Sequence, residues 1–95
     1  MAGKNVVLVT GANTGLGFQI ARALCSSETP YEVLVGGRSL AKAEQAVKSL
    51  KNEYPTSNAQ PIQIDIADDA SIAYAFEHVK GKYGKLDALI NNAGA

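Results

Sequence analysis

A chain of 95 residues, 46% hydrophobic and 19% charged, has room for one domain and one modest core. Its formal net charge is zero, which argues against a nucleic-acid or membrane-surface partner attracted by bulk charge. The single cysteine, Cys25, rules out an internal disulfide, and the first apolar run is too short for a signal peptide or a membrane span, so a cytoplasmic location is expected.

Residues 5–10 read as a first strand, apolar on both faces from Val6 to Val9, as a strand between two helical layers would be. Residues 15–27 read as a helix with Leu16, Ile20, Ala23 and Leu24 on one face. The turn residues from Ser26 to Pro30 end it. A second strand follows over 32–37. Ser39 is the expected N-cap of a helix over 40–53, whose stripe is Leu40, Ala43, Val47, Leu50 and Tyr54.

Pro55 closes that helix, and residues 56–61 read as a polar loop. Residues 61–66 alternate as a third, outer strand with Pro61 in first position. Asp68 or Asp69 caps a third helix over 69–82, with Ile72, Phe76, Val79 and Tyr83 on its stripe and Gly84 as its stop. Leu86 to Ile90 is the fourth strand. Regular alternation predicts an α/β fold: a doubly wound parallel sheet, strand order 3-2-1-4, with right-handed crossovers and helices on both faces. Ligands of such sheets bind at the switch point, here between the first and fourth strands.

The chemistry gathers where the strands end. Thr10-Gly11-x-x-x-Gly15-x-Gly17 links the first strand to the first helix. Gly11 permits a tight turn, Gly15 lets backbone approach a pyrophosphate, and Gly17 lets the helix lie close to the strand. The free N–H groups and positive dipole end of that helix would face the phosphates. Arg38 follows the second strand, Asp65 ends the third, and Asn91-Asn92-Ala93-Gly94 ends the fourth.

This constellation resembles the N-terminal half of the short-chain dehydrogenase/reductase family, and the resemblance covers the whole chain. The segment Thr-Gly-Ala-Asn-Thr-Gly-Leu-Gly-Phe is most similar to the carbonyl-reductase-like branch. Residues 1–95 would then be the N-terminal part of a single NAD(P)-binding Rossmann domain. The resemblance implies that Gly11, Asn13, Thr14, Gly15, Leu16 and Gly17 surround the pyrophosphate and adenosine ribose. It implies that Asp65 accepts from the adenine amino group and that the Ile66 N–H approaches the ring. Asn92, Ala93 and Gly94 would line the ribose side and steady the central strands.

The cofactor choice rests on the end of the second strand. Relatives that prefer NAD usually carry an acidic residue there; this chain has Gly37, followed by Arg38 and Ser39. A guanidinium suits a charge-assisted contact to a 2′-phosphate, and Ser39 offers a hydroxyl. NADP (as NADPH) is the expected cofactor.

The family's Tyr-x-x-x-Lys pair and its preceding Ser are not found. Tyr31, Tyr54, Tyr74 and Tyr83 are followed four residues later by Val35, Asn58, His78 and Asp87. No catalytic residue is therefore assigned, and a small carbonyl or alcohol substrate is expected only for a longer form. Cys25 reads as a packing residue, and His78 has no second histidine with which to bind a metal. The expected role is the NADP(H)-binding portion of a short-chain oxidoreductase. The alternatives are a non-catalytic dinucleotide-binding or interaction module, or an inactive fragment. A bare fourth strand would favour self-association.

Overall fold

The computed structural model describes residues 5–12 and 15–92. The elements are β1 (Asn5–Thr10), α1 (Gly15–Ser26), β2 (Tyr31–Gly37), α2 (Leu40–Glu53), β3 (Asn58–Gln63), α3 (Asp69–Tyr83) and β4 (Ala88–Asn91). All strand pairs are parallel, and the sheet order is β3-β2-β1-β4. Val7 lies opposite both Val33 and Ala88, so β1 sits at the centre of the register.

The two faces of β1 feed two separate cores. Val7 and Val9 pack with Val33, Val35, Ala21, Ala46, Val47 and Leu50, beneath α1 and α2. Val6 and Leu8 pack with Leu34, Ile62, Ile64, Ala75 and Val79, beneath α3. The continuous valine-rich run of β1 is thus explained by burial on both sides.

Helix ends follow the expected chemistry. Ser39 caps α2 by accepting the Lys42 N–H at 3.3 Å. Asp68, not Asp69, caps α3, accepting from Ala70 at 3.0 Å and Ser71 at 3.4 Å. Gly84 ends α3 with φ 77, the left-handed conformation that favours glycine.

Some expectations need correction. On α1, Leu16 is 69% exposed and Ala23 is exposed, whereas Gly17 and Ala21 are buried. Two small residues four apart let the helix press on the sheet, and larger Phe18, Ile20 and Leu24 pack only at its margins. On α2, Leu40 is exposed and Ala46 belongs to the buried stripe. On α3, Ala75 joins Val79 as the buried pair, with Ile72, Phe76 and Tyr83 packed beside them.

The third strand starts three residues before its expected position. Asn58 to Gln60 look like loop but pair with Glu32 to Leu34, with Ala59 buried in the α1/α2-side core. Pro61 lies in mid-strand, opposite Val35. The Ile64 N–H donates to Gly37 O at 2.9 Å, so even-numbered positions here face β2. Pro61 therefore turns its missing N–H toward the open side, the arrangement an edge strand tolerates. At the opposite edge, β4 begins at Ala88 rather than Leu86. Leu86 packs against the α3-side core instead, and the Asp87 N–H donates to Val6 O at 2.9 Å.

Candidate dinucleotide site

The carboxyl end of β1 is a hydrogen-bonded junction. Thr10 is 1% exposed. Its hydroxyl donates to Asn91 Oδ1 at 2.9 Å and accepts the Asn92 N–H at 3.0 Å. Asn92 Nδ2 donates to Gly11 O at 3.4 Å. The adjacent asparagines of β4 thus fasten the strand end and the first residue of the glycine turn together. On the other side, the Ala12 N–H donates to Gly36 O at 2.9 Å, joining the turn to β2.

The glycines occupy the conformations their positions require. Gly11 has φ 60 and Gly15 has φ 62. A Cβ on Gly15 would meet no described atom within 4 Å, so the space above it is open. Gly17 is the opposite case. A Cβ there would run into Gly11 O and lie 2.8 Å from Asn92 Nδ2. Closeness of helix to turn, and an open approach over Gly15, are what a diphosphate cradle needs at a helix N-terminus. The first turn of α1 carries no acidic residue to compete for that end.

At the neighbouring strand end, Arg38 and Ser39 are exposed just beyond β2. The Arg38 carbonyl accepts from Gln63 Nε2 at 3.1 Å, and Gly37 O from Ile64 N–H, so the end of β2 is held from β3's side. Ser39 spends its oxygen lone pair on the α2 cap, leaving its O–H as the group that can donate.

Asp65 lies two residues past β3, not at its end. Its Oδ1 accepts the Ala67 N–H at 3.0 Å, and its own N–H donates to Ser71 Oγ at 2.9 Å. Asp65 and half-buried Ile66 thus shape the turn into α3, at the same carboxyl-terminal end of the parallel sheet as the glycine turn. Asn13, Thr14, Ala93 and Gly94 lie outside the described residues.

Sequence reasoning missed Asp87 and gave Thr10 and Gly36 no separate roles. Asp87 Oδ2 accepts the Val6 N–H at 2.7 Å and pairs with Lys85 at 3.2 Å, at the far end of the sheet. The Val6 N–H, with help from Lys85, holds the Asp87 carboxyl below its ordinary value. Gly36 is backed by Val9 O and Ile64 Cγ2, each 3.0 Å from where a Cβ would be. The available signal was a buried hydroxyl at a strand end, which must find partners.

Cys25 is half-buried, and burial pushes its thiol up, away from nucleophilic character. His78 is exposed. No cluster of metal-ligating residues occurs among the described residues, and no helix among them is long and apolar enough to cross a membrane.

A family model described as short chain dehydrogenase matches residues 5–95. The short-chain dehydrogenase/reductase eupG of a Phoma species is 50% identical over 95 residues, spanning 97% of this chain and 34% of that protein. Menthone neomenthol reductase from Mentha piperita superimposes with a TM-score of 0.89 at 36% identity, over 99% of this chain and 33% of its own. An actinorhodin polyketide ketoreductase solved with NADPH gives 0.84 at 34% identity, over 100% and 36%. The chain therefore spans about a third of the length of the proteins it matches.

Proposed function

The chain belongs to the short-chain dehydrogenase family, and from that premise we propose that it is the NADP(H)-binding portion of an oxidoreductase that reduces a carbonyl or oxidises an alcohol. One observation carries the cofactor choice: Gly37 ends β2 where a carboxylate would repel a 2′-phosphate, and exposed Arg38 follows it. The ketoreductase relative solved with NADPH supports the same reading.

In this proposal Gly11, Gly15, Leu16 and Gly17, with Asn13 and Thr14, hold the diphosphate through amide hydrogens at the start of α1. Arg38 and the Ser39 hydroxyl take the 2′-phosphate. Asp65 and Ile66 meet the adenine edge, where Asp65 Oδ2 makes no hydrogen bond among the described residues. Asn92, with Ala93 and Gly94, lines the ribose. When bound, the dinucleotide would supply the hydride in reduction or accept it in oxidation; these residues would bind and orient it. No Tyr-x-x-x-Lys pair occurs in the 95 residues, so proton transfer is not assigned to any of them. A cytoplasmic setting is part of the proposal, supported by a single half-buried thiol.

The test is a fluorescence titration of this chain with NADPH and with NADH. The expected result is tighter NADPH binding. Equal affinities would count directly against the Arg38 argument.

A second reading is a dinucleotide-binding module that pairs with another chain through β4. The 45% exposure of Leu89, in the middle of that strand, favours it. Sedimentation of the chain as a monomer at high concentration would set it aside.

A further inference from the structure

Beyond β3, successive amide hydrogens go to two different elements. The Ile64 N–H donates to Gly37 O at 2.9 Å, which keeps it on β2. The next amide, that of Asp65, lies past the last pairing of the sheet, Gly37 with Gln63. It donates to Ser71 Oγ on α3 at 2.9 Å. A partly buried backbone N–H needs an acceptor, and here a helix side chain supplies it.

Ser71 is the third residue of α3, and a side chain there leans back toward the segment that leads into the helix. A polar side chain at that place commonly returns a bond to the cap residue's own N–H. In this chain the Asp68 N–H already donates to Asp65 O at 3.0 Å. The cap is also made without the Ser71 hydroxyl, since Asp68 Oδ1 accepts from the Ala70 and Ser71 amides. The hydroxyl therefore reaches further back, to Asp65.

Asp65 is thus held at three points. Its N–H is on Ser71, its carbonyl accepts from Asp68, and its Oδ1 accepts the Ala67 N–H at 3.0 Å. The first two fix the backbone and the third fixes the side chain. One carboxylate oxygen is committed to the turn, and Oδ2 is the one a ligand can use.

We propose that Ser71 is a positioning residue for base recognition: its hydroxyl holds the Asp65 backbone so that Oδ2 meets the 6-amino group of adenine. The inference rests on the reading above, in which Asp65 meets the adenine edge. Ser71 acts through Asp65 and not on the cofactor itself. A carboxylate oxygen accepts from an amino group and repels a carbonyl oxygen, so the choice it sets is adenine over hypoxanthine.

The experiment is fluorescence titration of this chain with NADPH and with its 6-deamino analogue, in which hypoxanthine replaces adenine. The unmutated chain is compared with Asp65→Asn, Ser71→Ala, Ser71→Thr and Ser71→Val; the last two share a shape and differ in the hydroxyl. The unmutated chain is expected to favour NADPH by about tenfold or more. In Asp65→Asn the Ala67 N–H takes the amide oxygen and leaves the NH2 group toward the base, so the preference is lost. Ser71→Ala and Ser71→Val are expected to cut the preference by about fivefold, through weaker NADPH binding, and Ser71→Thr to keep it. If Asp65→Asn loses the preference while Ser71→Ala and Ser71→Val keep it, the Ser71 proposal falls and the Asp65 reading stands. An equal loss of both ligands in Ser71→Ala and Ser71→Val, or a preference lost in Ser71→Thr as well, assigns Ser71 to packing alone and also overturns it. An unmutated chain that shows no preference or binds neither ligand, or a preference that survives in Asp65→Asn, overturns both.

Discussion

The Thr10 hydroxyl donates to Asn91 Oδ1 at 2.9 Å across 81 positions of sequence. The same oxygen accepts the Asn92 N–H, so one side chain on β1 fixes both asparagines at the end of β4. Thr10→Val keeps the shape and deletes both bonds. Removing one partner from a buried polar pair costs about 1–3 kcal/mol. Urea denaturation should show the unfolding free energy lowered by that amount, read as a lower midpoint with an unchanged slope. An unaltered midpoint would mean that the junction carries no stability.

Gly17 and Gly81 predict opposite outcomes for the same chemical change. Gly17→Ala drives a methyl group into Gly11 O, which is backbone and cannot swing aside. Overpacking of that kind costs about 1–3 kcal/mol and should displace the turn. Gly81 lies within α3, and a Cβ there meets open space. Gly81→Ala should stabilise by about 0.5–1 kcal/mol. Thermal denaturation of the two variants side by side checks both signs.

Arg38→Leu tests the phosphate contact. Loss of a charged hydrogen bond costs about 1.5–3 kcal/mol, equivalent to a tenfold to hundredfold weaker NADPH. NADH binding should barely change. Parallel losses for both dinucleotides would point to a damaged site rather than a lost phosphate contact.

Asp87 should contribute an acid limb to stability. The Val6 N–H holds its folded pKa below the ordinary 3.8. A depressed carboxyl stabilises the fold above its unfolded pKa, and the contribution fades as pH falls through the folded value. Asp87→Asn retains an oxygen for Val6 but cannot titrate. Its urea midpoint should therefore fall less steeply than that of the unmutated chain below pH about 4. Identical slopes in that range would assign the acid limb to other carboxylates.

The strand order, the two-sided burial of β1 and the limits of α2 were legible because periodicity and caps agreed there. Leu40 to Glu53 is bounded by a serine cap on one side and a proline after Tyr54 on the other. The third strand was displaced because Asn58 and Gln60 have poor strand propensity, and pairing with β2 overrides it. The face of α1 was misjudged because an apolar count rewards Leu16 and passes over small Ala21, whereas the close approach at Gly17 was legible in the glycine spacing. In the site, glycine spacing announced the turn, and Gly11 takes a left-handed conformation as a tight turn requires, while the left-handed conformation of Gly15 was not foreseen. The Thr10–Asn91 bond was not legible, because partners 81 positions apart are joined only by the parallel pairing of β1 and β4.

Pro61 limits what the molecule can build with copies of itself. A fibre requires every unit to offer two adhesive flanks, one to receive and one to give. The flank beyond β3 has a pyrrolidine ring in place of one donor, so a strand docking there loses a ladder hydrogen bond that the β4 flank does not. Should copies of this chain pair side by side, sedimentation is expected to show pairs joined through β4 and no longer series.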